Sequence, residues 1–243
     1  MSNLRLLHLA ALLSGLRFGL GIWVLFYLRL TDYAGIGLTE TVTIVTSFAM
    51  EVPTGIAADR WGRKPCLVGA FALELAGYLL LAAAGGLTGL LVSLAVLQLG
   101  KSLQSGTFEA MLWESLDEDD RDREYVRLFG RINATQLIAT ALASLAGGFL
   151  YQLDYRLPFA CAGAAFGVAA LVALGLREPE RVMAAPSASG FLRDFKQVSA
   201  ALAGAWRLTV PLLVVGAFLA VTEEVLDDVL SVEFGFSPTG LGA

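Results

Sequence analysis

The decisive stretch of this sequence is Gly55-Ile56-Ala57-Ala58-Asp59-Arg60-Trp61-Gly62-Arg63-Lys64. It forms a short charged gap between two long apolar runs. Its charges cannot remain in hydrocarbon, because a charged side chain at the bilayer centre costs about 2.5–3.5 kcal/mol on insertion scales. The stretch is therefore predicted to be a loop at a membrane face, with a membrane-spanning helix on each side.

The composition of the whole chain places it in the membrane class. Of its residues, 56% are hydrophobic and only 16% are charged, whereas a soluble domain carries about 25% charged residues. A spanning helix needs about 20 apolar residues. Runs of that kind lie at 6–30, 38–58, 66–84, 87–112, 130–152, 157–176 and 208–230. Because lipid cannot satisfy free backbone groups, the expected fold class is an all-α polytopic membrane protein. Its expected partner is the lipid bilayer, and with no basic tract no nucleic acid is expected.

Basic residues are concentrated between alternate runs. One face holds the basic residues of the decisive stretch and of the segments after the fourth and sixth runs, whereas the other holds Arg156 and Arg29 at a helix end. Since Lys and Arg are enriched in cytoplasmic loops, the N-terminus is predicted to be cytoplasmic. The plasma (inner) membrane is the expected location.

The pattern Gly-x-x-x-Asp-Arg-x-Gly-Arg-Lys resembles the loop between the second and third helices of major facilitator superfamily (MFS) transporters. All six specified positions match, namely Gly55, Asp59, Arg60, Gly62, Arg63 and Lys64. The resemblance implies an MFS-type helical bundle that transports a small-molecule substrate by alternating access, without a cofactor and without enzyme activity. In that family the loop is a latch that holds the cytoplasmic side closed. A role as a topology anchor is the alternative.

The residue types of this motif have physical reasons. Gly55 is expected to permit close helix approach, and Gly62 to adopt a turn conformation that a Cβ would obstruct. Asp59 is expected to face the N-terminal end of another helix or to pair with an arginine.

The resemblance also divides the chain into three parts. Residues 1–176 are expected to form an N-terminal six-helix bundle, and 177–207 a cytoplasmic linker with an amphipathic interfacial helix. Residues 208–243 are expected to hold the seventh helix and the start of a second bundle, as in parallel repeats. On that expectation about five helices are missing from this chain, and the C-terminal bundle that they would complete is the partner of the latch.

Polar and ionisable residues within predicted spans are candidates for the substrate or proton-coupling site, since lipid disfavours them. Lys101 lies in a stretch that resembles a variant of the family's fourth-helix Arg-x-x-Gln-Gly motif. Glu109 follows Lys101 on the same helix face. The candidate set is Arg17, Glu51, Lys101, Gln104, Glu109, Asn133, Gln136, Glu223 and Glu224.

Several acidic residues allow two interpretations. Glu51 and Glu74 either serve transport or pair with a basic residue of a neighbouring helix. Glu223 and Glu224 either raise each other's proton affinity as apposed carboxylates or are hydrated near the outer interface.

The fifth run carries a stripe on one helix face that either lines a polar cavity or packs closely through small residues. Its members are Asn133, Gln136, Thr140, Ser144 and Gly147. The segment 139–148 is similar to the fifth-helix motif of drug–proton antiporters. Proton-coupled efflux of small organic compounds is therefore the first expectation, and uptake of a sugar or organic acid is the second. An intramembrane enzyme and a seven-helix receptor are the alternatives from other classes.

Overall fold

The fold is an all-α bundle in the computed structural model, which describes residues 3–116 and 120–178. Its helices are α1 (Asn3–Ser14), α2 (Trp23–Tyr27), α3 (Tyr33–Trp61), α4 (Arg63–Ala83), α5 (Leu87–Glu114), α6 (Arg121–Leu153) and α7 (Leu157–Leu174). Helices α3 to α7 are long and apolar enough to cross a membrane. They lie on the five predicted runs from 38–58 to 157–176, so the expected all-α polytopic membrane fold is confirmed.

Part of the predicted organisation lies outside the described residues. This applies to the seventh helix at 208–230, to the interfacial helix of the linker, and to Glu223 and Glu224. Only the first two residues of the predicted linker are described. The three-part division of the chain therefore stays a prediction.

The first apolar run is not one helix. The prediction of a continuous span over 6–30 was wrong, because α1 ends at Ser14 and a turn leads through a 3-10 segment, Leu20–Ile22, into α2. Twelve residues of α1 reach only about 18 Å at 1.5 Å per residue, whereas the hydrocarbon core is about 30 Å thick.

Glycines in the break fit against neighbouring helices. A Cβ on Gly15 would lie 2.6 Å from the carbonyl oxygen of Gln136, and one on Gly19 would overlap the ring of Phe159. The backbone freedom of glycine also makes the turn accessible. Non-helical backbone at membrane depth requires partners from the protein or from water. Here the Thr140 hydroxyl lies 2.9 Å from the carbonyl oxygen of Gly15 and 2.9 Å from that of Gln136, so its proton can be donated to either.

Helix α4 packs against α5 and α7, while α3 packs against α5, and α1 packs against α7 and α6. Aromatic residues fill the contact between α4 and α7. The ring of Tyr78 stacks on that of Phe166 with centroids 5.3 Å apart, and Phe71 approaches Phe166 at 6.3 Å. This apolar wall fixes α4 against α7, and the opposite contact of α4 with α5 leads to the polar groups described next.

Helix α6 is longer than a bilayer needs. Its 33 residues extend about 50 Å at 1.5 Å per residue. Its first turns, from Arg121 onward, carry charged residues that follow the fourth apolar run, among them Asp122 and Glu124. These turns lie at the same end of the bundle as the Gly55–Lys64 loop, an end that we call the motif end.

Candidate functional site

A cavity of about 240 Å³ lies between α1, α5 and α6, and we call it the central cavity. Six of the nine sequence candidates line it: Arg17, Lys101, Gln104, Glu109, Asn133 and Gln136. They come from the break after α1, from α5 and from α6. The fold thus brings together groups that are more than one hundred residues apart in the chain.

A second cavity of about 130 Å³ adjoins the same cations. Arg17 and Lys101 line both cavities, so they stand between the two spaces. Glu40 of α3 and Tyr78 of α4 line the second cavity. The sequence interpretation missed Glu40, although an acid two residues inside the run 38–58 satisfied the rule that selected the other candidates.

Arg17 is held by the end of the helix that precedes it. Its Nε donates to the carbonyl oxygen of Ser14 at 3.2 Å, where the C-terminal end of α1 carries a partial negative charge. Its two Nη nitrogens make no hydrogen bond within 3–116 and 120–178. The outer part of the guanidinium therefore keeps its capacity to bind a ligand.

Glu74 of α4 is the most unusual group near these cavities. Its side chain is 0% exposed, and neither carboxyl oxygen has a hydrogen-bond partner among the described residues. Arg17 and Lys101 are close enough to act on it electrostatically. A Cβ on Gly100 would lie 2.7 Å from the Glu74 Cγ, so close packing of α5 holds the side chain in place. One expectation from the sequence is that Glu74 pairs with a basic residue. Among the described residues Arg17 and Lys101 act on it through their charge, without a hydrogen bond.

The polar stripe of α6 serves both of its predicted purposes. Asn133 and Gln136 line the central cavity, and Gln136 also donates to the Ser14 hydroxyl at 3.2 Å. Further along, a Cβ on Gly147 would overlap the backbone carbonyl of Phe18. Asn133 and Gln136 are thus polar lining, whereas Gly147 allows α6 to approach the broken segment closely.

The motif loop turns at Gly62, which both ends α3 and begins α4. Its φ of +103° belongs to the region that glycine adopts readily. The Glu178 carboxylate accepts hydrogen bonds from the backbone N–H groups of Arg63 at 2.6 Å and Lys64 at 2.8 Å. A carboxylate in this position satisfies free donors of the first helical turn and complements its positive end. Sequence reasoning missed Glu178, because nothing local links the end of the sixth run to this loop.

Arg63 joins three helices at the motif end. It pairs with Asp59 at 3.0 Å between Nη2 and Oδ1, and with Glu114 at 3.2 Å between Nε and Oε1. Pairing with an arginine was one of the two predicted roles of Asp59. Arg60 is buried at 8% exposure, which anchors this basic side chain within the bundle.

Two sequence candidates belong to the motif end instead of the central cavity. Glu51 and Gly55 line a third cavity of about 170 Å³ together with Asp59 and Arg63. Among the described residues nothing lies within 4 Å of a Cβ built on Gly55. The close helix approach expected at Gly55 is therefore absent from this part of the chain.

This arrangement of long apolar helices around charged cavities defines a multi-pass membrane protein. The family model described as "Major Facilitator Superfamily" matches residues 7–242, and the chain belongs to this family. The predicted family membership is thereby confirmed. Since the family is one of transporters, the expectation that the protein is not an enzyme is confirmed as well.

Individual relatives agree with this assignment. An uncharacterized MFS-type transporter, YxaM of Bacillus subtilis (strain 168), is 30% identical over 152 residues, which are 60% of this chain and 37% of the relative. An auto-inhibited POT family peptide transporter has a TM-score of 0.60 at 20% identity, over 76% of this chain and 39% of its own. The peptide transporter POT in complex with sulfate has a TM-score of 0.52 at 18% identity, over 95% and 49%. These structural likenesses concern the fold, and the chain spans less than half of each relative.

Proposed function

We propose that this protein is a proton-coupled secondary transporter that moves small organic compounds across the membrane by alternating access. The observation that carries the proposal is the central cavity, where Arg17 and Lys101 meet amides and an acid from α5 and α6. Charged groups inside a membrane are costly, face cavities and mark substrate or ion pathways.

The broken first segment supports the same proposal. Substrate sites of secondary transporters are typically formed near the bilayer midplane by discontinuous helices. Here the break between α1 and α2 places Arg17 on the cavity. A break in a lipid-facing position would leave carbonyl groups without partners, whereas this break faces α6 and the cavity.

We extend the proposal to topology and assembly. The N-terminus and the motif end face the cytoplasm of a plasma (inner) membrane, because the Lys and Arg side chains of the loop are typical of cytoplasmic segments. A second six-helix bundle of the same protein completes the substrate site. The motif loop acts as a latch between the two bundles, and the Asp59–Arg63 pair joins the helices on its two sides.

Two directions of transport are candidates. Export by proton antiport is the first expectation from the sequence. Uptake of an organic acid is the second candidate, and one observation favours it: two cations, Arg17 and Lys101, are shared by both cavities. A pair of cations is suited to an acidic substrate.

Reconstitution of the full-length protein in liposomes that contain a pH-sensitive dye tests the proposal. A compound that enters together with protons acidifies the lumen, whereas a compound that enters in exchange for protons makes it alkaline. The compounds to add are organic acids, amines and neutral sugars. We expect at least one of them to produce a pH change that empty liposomes lack, and silence from all three groups would contradict proton-coupled transport.

A further inference from the structure

We propose that the central cavity takes a small organic anion, and that Glu74 must carry a proton for that anion to bind. This inference rests on the proposed function, because it names the ligand class of the same cavity and the group that links it to protons. It concerns Glu74, which sequence reasoning left with two interpretations.

The cations provide the binding side of the argument. Arg17 and Lys101 line both the central and the second cavity. The Arg17 guanidinium uses Nε for the Ser14 carbonyl, so that bond leaves both Nη groups for a ligand. A planar guanidinium binds a carboxylate through two parallel hydrogen bonds. This geometry favours an acid over an amine or a neutral sugar.

The surroundings of Glu74 provide the proton side. Its carboxyl oxygens accept no hydrogen bond within the described residues. Its Cγ packs against Gly100, the residue before Lys101, and Tyr78 lines the second cavity together with Arg17 and Lys101. These two cations are therefore the ones that balance a negative charge on Glu74. Helix α7, which also packs on α4, contains no charged side chain. On α4 itself Tyr78 lies one turn away, and α3 contributes Glu40 to the second cavity.

The ionised carboxylate of Glu74 and an anionic ligand therefore compete for the same two cations. A buried charge that loses its partners is strongly unfavourable, so an anion cannot take over Arg17 and Lys101 while Glu74 remains ionised. A proton on Glu74 removes the conflict. Proton binding and anion binding then favour each other, and this coupling is reciprocal. One proton accompanies each singly charged anion, and the occupied site keeps the net charge of the empty, deprotonated site.

Binding assays on the full-length protein test this inference. The probes are monocarboxylic acids that stay ionised from pH 5.5 to 8.5, each paired with its neutral primary amide, with benzoate and benzamide, and lactate and lactamide, among the pairs. The measurement is the shift in melting temperature with probe concentration. We expect at least one acid, and not its amide, to stabilise the protein. Its affinity should fall as pH rises, approaching roughly tenfold per pH unit for a single linked proton.

Substitutions identify the groups. Arg17→Gln is expected to abolish stabilisation by the acid, and Arg17→Lys, which keeps the charge without the planar fork, to weaken it at least about fivefold. Glu74→Gln is expected to bind the acid with the same affinity at every pH. The matched control is Glu124→Gln, an exposed carboxylate in the first turn of α6, which should keep the wild-type pH dependence.

Several results would overturn the inference. Equal binding of acids and amides would remove the anion preference, and pH-independent binding of acids to the wild-type protein would remove the link to Glu74. If acid binding by the Glu74→Gln variant keeps the pH dependence of the wild type, the linked proton belongs to another group. If an amide is bound and moved with protons, the proposed function stands and this inference falls. If no acid is bound while an amine or a neutral sugar is moved with protons, this inference again falls alone, and if acids, amides, amines and sugars are all neither bound nor moved, both fall.

Discussion

The motif end and the central cavity use charged residues in opposite ways. At the motif end Arg63 lies between Asp59 and Glu114, and Glu178 binds the first N–H groups of α4. Near the cavity Glu74 accepts no hydrogen bond within the described residues. The first region is stabilised by its own partners and holds a shape. The second retains binding capacity that a ligand or a proton can use.

The largest expected effect is a loss of transport when a cation of the central cavity is removed. Lys101→Gln removes one of two mid-depth cations, so we expect transport to fall at least about tenfold, which corresponds to about 1.4 kcal/mol. The melting temperature should change little. The measurement is counterflow of an acid that stabilises the wild-type protein, with Arg123→Gln on the exposed face of α6 as control. Unchanged affinity and rate would remove Lys101 from the site.

A substitution at the motif end is expected to lower the transport rate and to leave the affinity of the central cavity unchanged. Asp59→Asn weakens the pair with Arg63, so transport should slow several-fold while the affinity for the same acid stays constant. Asp122→Asn, an exposed acid in the first turn of α6, is the control. A normal rate would refute the latch. Loss of membrane insertion would instead support the topology-anchor alternative.

The carboxylate at the start of α4 is expected to contribute mainly to stability. Glu178→Ala removes two charge-assisted hydrogen bonds to the first turn of α4, and lost helix caps cost about 0.5–2 kcal/mol. Thermal unfolding should therefore begin at a temperature a few degrees lower. Glu178→Gln, which keeps one acceptor oxygen, should lie between Ala and wild type. A melting temperature equal to wild type in both variants would show that this contact contributes no stability.

The smallest expected effect concerns the break in the first segment. Thr140→Val removes the hydroxyl that can donate to the Gly15 carbonyl, and such bonds between membrane helices average about 0.6 kcal/mol. Thr140→Ser keeps the hydroxyl and should behave like wild type. The comparison of the two melting temperatures measures the contribution of the bond, and a lower value for Ser than for Val would contradict it.

Sequence reasoning succeeded where the signal is local. Six matching positions in one short stretch indicated the family, and continuous apolar runs predicted α3 to α7. The break after Ser14 escaped because a glycine in an apolar run does not by itself end a helix. The contacts that require glycine in this break lie in α6 and α7, whose Gln136 and Phe159 leave no room for a Cβ at Gly15 and Gly19.

The sequence identifies most residues of the candidate site, but it does not show that they lie together in one cavity. The rule against charge in lipid selected Arg17, Lys101 and Glu109 one by one, but only the packing of separate helices shows that they share a cavity. The same packing distinguishes Glu51, which lies at the motif end. The contact of Glu178 with Arg63 joins residues 115 positions apart, which no local pattern reveals.

Water access to the central cavity tests the central claim most directly. In a full-length protein with Cys66→Ala and Cys161→Ala, we would compare Ser105→Cys, on the cavity, with Leu137→Cys on the exposed apolar face of α6, where Leu137 is 70% exposed. Maleimides react with the hydrated thiolate, so a hydrophilic maleimide should label Cys at 105 at least about tenfold faster in membranes. Equal, slow labelling at both positions would contradict a hydrated transport cavity between α1, α5 and α6.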